Sequence, residues 1–193
     1  MSTPQSDLDR ALDLLSQDKP LEAVALSAKV AEAPGASHQA LAAHSQILKV
    51  LRRHAEALTF DQMAVDRFPR SGVAWHNLAA TLGDLGRSKD SKIAIERGMG
   101  VGLDGPQSWS VYARALMGVG DHDRAELAYV EARKRAPDDV KLTSEYANYV
   151  WMRRGDLSLA LQSMDTAFHA GAPPGAPLLT KAKLFEAAGM ADK

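Results

Sequence analysis

Apolar, small and glycine positions return along this chain at a fixed interval. Trp75 and Trp109 stand 34 residues apart, as do Gly86 and Gly120. In the same register Leu78 falls on Tyr112, Ala79 on Ala113, Leu82 on Leu116, Ser91 on Ala125 and Ile95 on Tyr129. Upstream, Leu41, His44, Ser45, Leu48, Ala57, Ala64 and Pro69 take the same slots, and before them Asp7, Arg10, Ala11, Leu14, Ala23 and Val30, with Pro34 near the close. Downstream, Tyr146, Ala147 and Val150 fit, whereas Gly155, Ala160, Met164 and Ala167 arrive one residue late, which predicts a turn one residue longer there. Leu178, Ala182, Phe185 and Gly189 then read as one more first helix. An interval of this size, punctuated by glycine in the middle and proline at the close, predicts two antiparallel helices per unit, neither able to bury its apolar stripe alone.

The residue types fit that reading. Ala79, Ala113 and Ala147, with Ala57, Ala125 and Ala160, let helix backbones approach to about 8–10 Å, and Leu82, Leu116 and Tyr129 fill the space between pairs. Gly86, Gly120 and Gly155 stand where a first helix ends and a left-handed residue is favoured. Asp121, Asp156 and Ser88 follow as N-caps for the second helices, and Pro69 and Pro137 close those helices.

The copy Trp109, Tyr112, Ala113, Leu116, Gly120, Ala125, Tyr129, Ala132, Pro137 resembles the tetratricopeptide repeat at nearly every marked position, and the resemblance covers residues 4 to 193. It implies an all-α, right-handed superhelical solenoid of antiparallel helix pairs, about five and a half repeats forming a single array over 1–193. The repeats are read as 4–37, 38–71, 72–105, 106–139 and 140–174, with a terminal helix at 175–193.

Composition narrows the function. The chain of 193 residues is 46% hydrophobic and 24% charged, ordinary for a folded protein and wrong for a disordered one. Its net charge of -1 offers no field for gathering nucleic acid or an anionic membrane. With no cysteine, thiolate chemistry and Cys-based metal sites are absent. No signal peptide is readable in MSTPQSDLDR and no stretch is long and apolar enough to span a bilayer, so a cytoplasmic location is the expectation.

Two motifs invite chemistry. Gly100-Val101-Gly102-Leu103-Asp104-Gly105 spells GxGxxG, but a dinucleotide site needs a strand before it; here the repeat register runs through it and predicts a turn. His54-Ala55-Glu56 mimics two ligands of a 2-His-1-carboxylate iron site, yet the repeat supplies no second histidine. Basic clusters at Arg52-Arg53, Arg133-Lys134-Arg135 and Arg153-Arg154 fall near helix ends, where cations complement the dipole. No catalytic residue, cofactor or metal is expected, and the chain reads as a non-enzyme.

The resemblance implies instead a protein–protein interaction scaffold that holds a peptide or partner protein in a concave groove lined by the first helices. That face carries Gln46 and Lys49, then His76, Asn77 and Ala80, then Gln107, Ser110, Arg114 and Met117, then Lys141, Ser144, Glu145, Asn148 and Trp151, and finally Thr180 and Lys183. Asn77, Arg114, Asn148, His76, Lys141, Gln46 and Lys183 are the candidate contacts. An asparagine amide matches a peptide bond with one donor and one acceptor, and arginine adds a charge-assisted bond to a carboxylate. The basic set that clamps a chaperone tail is incomplete, with Leu8 and Leu12 at two of its slots. Two alternatives stay open. One is the N-terminal docking or regulatory part of a larger bacterial enzyme, such as a 2-oxoglutarate oxygenase, a sulfotransferase or a glycosyltransferase. The other is homodimerisation through a terminal helix made sticky by Leu178, Leu179, Ala182, Leu184 and Phe185.

Overall fold

The computed structural model of the protein describes residues 3–171 and 175–189, and of 176–179 the backbone only. Among the described residues there are eleven α-helices and no strand. The chain falls into two compact units, Met1–Leu103 and Asp104–Lys193. The first holds α1 (Pro4–Ser16), α2 (Pro20–Ala31), α3 (His38–Val50), α4 (His54–Arg67), α5 (Gly72–Asp84) and α6 (Ser88–Gly100). The second holds α7 (Pro106–Gly118), α8 (His122–Arg135), α9 (Val140–Arg154), α10 (Leu157–His169) and α11 (Gly175–Ala187).

The packing follows from the small residues. In the first unit Ala57 and Ala79 are wholly buried; in the second Ala113, Ala125, Ala147 and Ala160 are. With only methyl groups to hold them apart, α5 lies on α6 and α7 on α8, while the odd-numbered helices also touch their odd-numbered neighbours, α1 with α3 and α3 with α5, then α7 with α9 and α9 with α11. Leu82, Leu116 and Tyr129 are buried between pairs, as their bulk and spacing predict.

Four of the turns inside pairs share one geometry. In the turn between α5 and α6, Gly86 takes φ +73°, and the Arg87 N–H reaches back to the Leu82 carbonyl at 2.9 Å; between α7 and α8, Gly120 at φ +84° lets Asp121 do the same to Leu116. Such a back-bond satisfies a carbonyl that the helix end would leave unpaired. The turn expected to be one residue longer is in fact shorter. The extra length lies in the helix: α9 has 15 residues where α7 has 13, and only Gly155 and Asp156 separate it from α10. Leu142, Tyr149 and Val150 are buried along it, and the two added residues, Arg153 and Arg154, are exposed at its end.

Asp121 and Asp156 cap their helices, accepting from the backbone N–H of Arg124 and Leu159 at 3.4 and 2.8 Å. Ser88 does not; it is the first residue of α6, and the N-cap is Arg87, whose guanidinium meets Asp90 at 2.7 Å. The GxGxxG segment is the end of α6 at Gly100, a left-handed turn at Gly102 and the N-cap of α7 at Gly105, with no strand before it. At the start of α4, both oxygens of Glu56 are held by Arg53 at 2.6 Å, and His54 Nδ1 lies 3.6 Å from Asp84. In α11 Leu184 is buried and Phe185 half-buried, so these two contribute less outward apolar surface than their sequence suggests; the side chains of Leu178 and Leu179 lie outside the described residues.

Candidate functional site

In the second unit the ninth residue of each odd-numbered helix is Arg114 on α7, Asn148 on α9 and Lys183 on α11. All three are exposed, and the residues just before the first two, Ala113 and Ala147, are wholly buried. Neighbouring helices therefore present cation, amide and cation at one repeat position. Lys141, at the second position of α9, is also exposed. Hydrogen bonds between the helices fix their spacing. Ser110 of α7 donates to Glu145 of α9, and the hydroxyls of Ser144 and Thr180 lie 2.9 Å apart between α9 and α11. Four residues that the sequence assigns to a free binding face thus serve as bridges between helices. Met117 likewise turns its sulfur to the Tyr129 hydroxyl at 3.4 Å. Burial pushes the Tyr129 phenol far above its ordinary value, and Glu145 adds to the rise.

In the first unit the ninth-position residues are Leu12, Gln46 and Ala80, an uncharged row with Leu12 half exposed. Gln46 is exposed, and His76 and Asn77 on α5 are half-buried. Asn77 is the sixth residue of its helix, so it does not share the repeat position of Arg114 and Asn148. Lys49 does not belong to a binding face. Its ammonium lies 3.9 Å from the Asp61 carboxylate, with 10% of its side chain exposed and 1% of the aspartate's.

The first unit also has a cleft that the sequence reading, confined to the first helix of each pair, missed. It lies between α4 and α6 with α5 as its floor, about 710 Å³ in volume, and Leu58, Met63, Trp75 and Ile93 line it. Ile93 is 54% exposed and Leu127, one interval on, 66%. A large apolar residue repeated on the outer side of second helices was the available signal.

No family model matches the chain, and no curated protein matches it. Solved structures do. The crystal structure of TTC0263, a thermophilic tetratricopeptide-repeat protein of Thermus thermophilus, is 16% identical, with a TM-score of 0.81 over 95% of this chain and 100% of that one. PilF of Pseudomonas aeruginosa is 14% identical, with a TM-score of 0.71 over 98% and 86%. YrrB, described as a tetratricopeptide-repeat protein with an unusual peptide-binding site, is 16% identical, with a TM-score of 0.60 over 93% and 92%. The chain has the tetratricopeptide-repeat fold.

The two tryptophans that announce this fold have matching surroundings. Trp75 donates its indole N–H to the Pro69 carbonyl at 2.9 Å, and the Arg97 guanidinium lies over its ring at 5.3 Å. Trp109 donates to the Asp104 carboxylate at 2.6 Å, with Arg135 over its ring at 4.9 Å. The Trp109 N–H and the Arg135 guanidinium hold the Asp104 carboxyl below its ordinary range. Each ring thus ties the start of a first helix to the end of a second helix, and Arg135, a member of the Arg133-Lys134-Arg135 cluster, is committed to that tie. Arg133 is committed too, its guanidinium 4.6 Å from the centroid of Tyr146. In the tetratricopeptide-repeat register, Arg114, Asn148 and Lys183 form an exposed polar row. Among the described residues no helix is long and apolar enough to cross a membrane, and no three His, Cys, Asp or Glu side chains gather as metal ligands do.

Proposed function

We propose that the chain is an interaction scaffold that holds a peptide segment of a partner protein along the exposed row Arg114, Asn148 and Lys183, and does not transform it. The row itself is the observation that supports this reading: three adjacent helices offer exposed donors at their ninth positions, the first two next to a buried alanine. Arg114 and Lys183 suit carboxylates on the peptide, and Asn148 suits the peptide bond between them. Lys141 extends the row with a further cation. The description of YrrB as carrying a peptide-binding site adds support from a structure of the same fold. Capture experiments with the wild type and an Arg114/Asn148/Lys183 triple alanine variant test it. Prey held by the wild type and lost by a variant of unchanged helicity supports the row. Prey retained in full by the variant moves the binding elsewhere.

A further inference from the structure

We propose that the first unit carries a receptor pocket for an indole, the side chain of a tryptophan on a partner protein. The pocket, about 620 Å³, opens between the start of α1, the end of α2 and the segment leading to α3, and is lined by Asp7, Leu8, Lys29, Val30, Ala33 and Gly35 among others. The chain itself shows what belongs in such a space. α1 and α5 begin 68 residues apart, and so do α2 and α6. On that offset Asp7 corresponds to Trp75, Lys29 to Arg97, Val30 to Gly98 and Gly35 to Leu103.

Around α5 and α6 the space is full. A Cβ added at Gly98 would lie 3.0 Å from Trp75 Cβ and 3.0 Å from Leu103 Cδ2. Around α1 and α2 both of those large side chains are missing. Asp7 replaces the indole, and a Cβ added at Gly35 would meet nothing within 4 Å. Val30 recovers part of the volume, and the pocket is what remains.

The lining complements an indole better than it does an aliphatic or phenyl group. Lys29 stands where Arg97 covers Trp75, and a cation favours the face of an aromatic ring. Asp7 brings a carboxylate to the same pocket, as Asp104 does for the Trp109 N–H. Leu8, Val30 and Ala36 are buried and give apolar walls for the hydrocarbon edge. An aliphatic side chain would use the walls alone, and a phenyl ring lacks the N–H. This site shares no residue with the row on the second unit, so either can fail without the other.

Titration of the isotope-labelled full chain with N-acetyltryptophanamide, followed through the backbone amides of Lys29, Gly35 and Ala36, tests the assignment. Saturable shifts confined to those amides are expected, with weaker binding of the phenylalanine and leucine analogues. Lys29→Met should weaken the tryptophan analogue about twofold to fivefold, the worth of one exposed cation–π contact. Asp7→Trp should fill the pocket with the chain's own ring, abolish the shifts and raise the melting temperature. Shifts centred elsewhere, equal binding of the leucine analogue, or full binding by a folded Asp7→Trp variant would each overturn the proposal. So would movement of the same amides with protein concentration alone, which would make a second copy of the chain the occupant.

Discussion

Ser27 on α2 and His44 on α3 meet inside the first unit, Oγ to Nδ1 at 2.8 Å, with His44 edge-on to Phe60 at a centroid distance of 4.3 Å. His44 is 2% exposed. Burial lowers its pKa below the ordinary 6.5; Arg53 adds to the fall, while Glu32 and Glu56 oppose it. The folded chain therefore keeps this imidazole neutral where the unfolded chain has begun to take up a proton. The contribution to stability is complete above the unfolded value and is lost as pH falls towards the lower folded value. The wild type should lose more melting temperature between about pH 7.5 and about pH 5.5 than His44→Leu does, leucine being the residue that the chain uses one interval later at Leu78. Equal losses would show that another group carries the pH response.

Arg52 turns between α3 and α4 at φ +61°, the slot that Gly86 and Gly120 fill in later pairs. A left-handed conformation costs an ordinary L-residue roughly 1–2 kcal/mol, part of which glycine returns through its freer unfolded chain. Arg52→Gly should therefore stabilise the protein by about 0.5–1 kcal/mol in urea unfolding. The bond from the Arg53 N–H to the Leu48 carbonyl at 2.9 Å matches those in the glycine turns, so the backbone need not move. A destabilised variant would mean that the arginine side chain makes up for its own strain.

Much of this architecture is legible because one slot returns in several intervals. Trp75 and Trp109 set the period, and Ala79, Ala113 and Ala147 mark the closest approach of backbones; each is where the sequence puts it. The expected binding face was less legible, because helical periodicity reports which way a residue points and says nothing of what it meets. Ser110 and Glu145 point along the expected face and satisfy each other between helices. Lys49 points the same way in sequence, yet a buried aspartate on the next helix turns it inward. Ser88 was misplaced by one position because serine suits both an N-cap and the first helical residue, and the choice depends on where the backbone turns.

Tyr129 is 3% exposed, its ring 5.4 Å from that of Tyr149 and 6.3 Å from that of Tyr146, with its hydroxyl on the Met117 sulfur. Tyr129→Ala leaves a cavity where α7, α8 and α9 meet and should cost about 3–5 kcal/mol. In a repeat fold the loss should concentrate near the site. Hydrogen exchange is expected to accelerate in α7 to α9 well before α1 and α2 respond. Uniform acceleration across the chain would show instead that the array unfolds as one cooperative block.

Asp61 and Lys49 occupy the slots that Tyr129 and Met117 hold two intervals later, so an ion pair in the first unit replaces an apolar contact in the second. The pair is not an ideal one. The ammonium stands 3.9 Å from the carboxylate, whose better partner is the Thr81 hydroxyl at 2.5 Å. Desolvating both charges costs several kcal/mol, and an attraction at this separation offsets only part of it. Lys49→Met alone should cost about 3 kcal/mol, because a carboxylate at 1% exposure then lacks its cation. Adding Asp61→Ile, the residue of the next interval at Ile95, should recover most of that loss. Thr81 would then return its proton to its own helix, at the carbonyl four residues back. Urea unfolding of the two single variants and the double closes the cycle. A double variant as unstable as Lys49→Met would show that the buried pair contributes net stability to the first unit rather than only specifying how α3 and α4 pack.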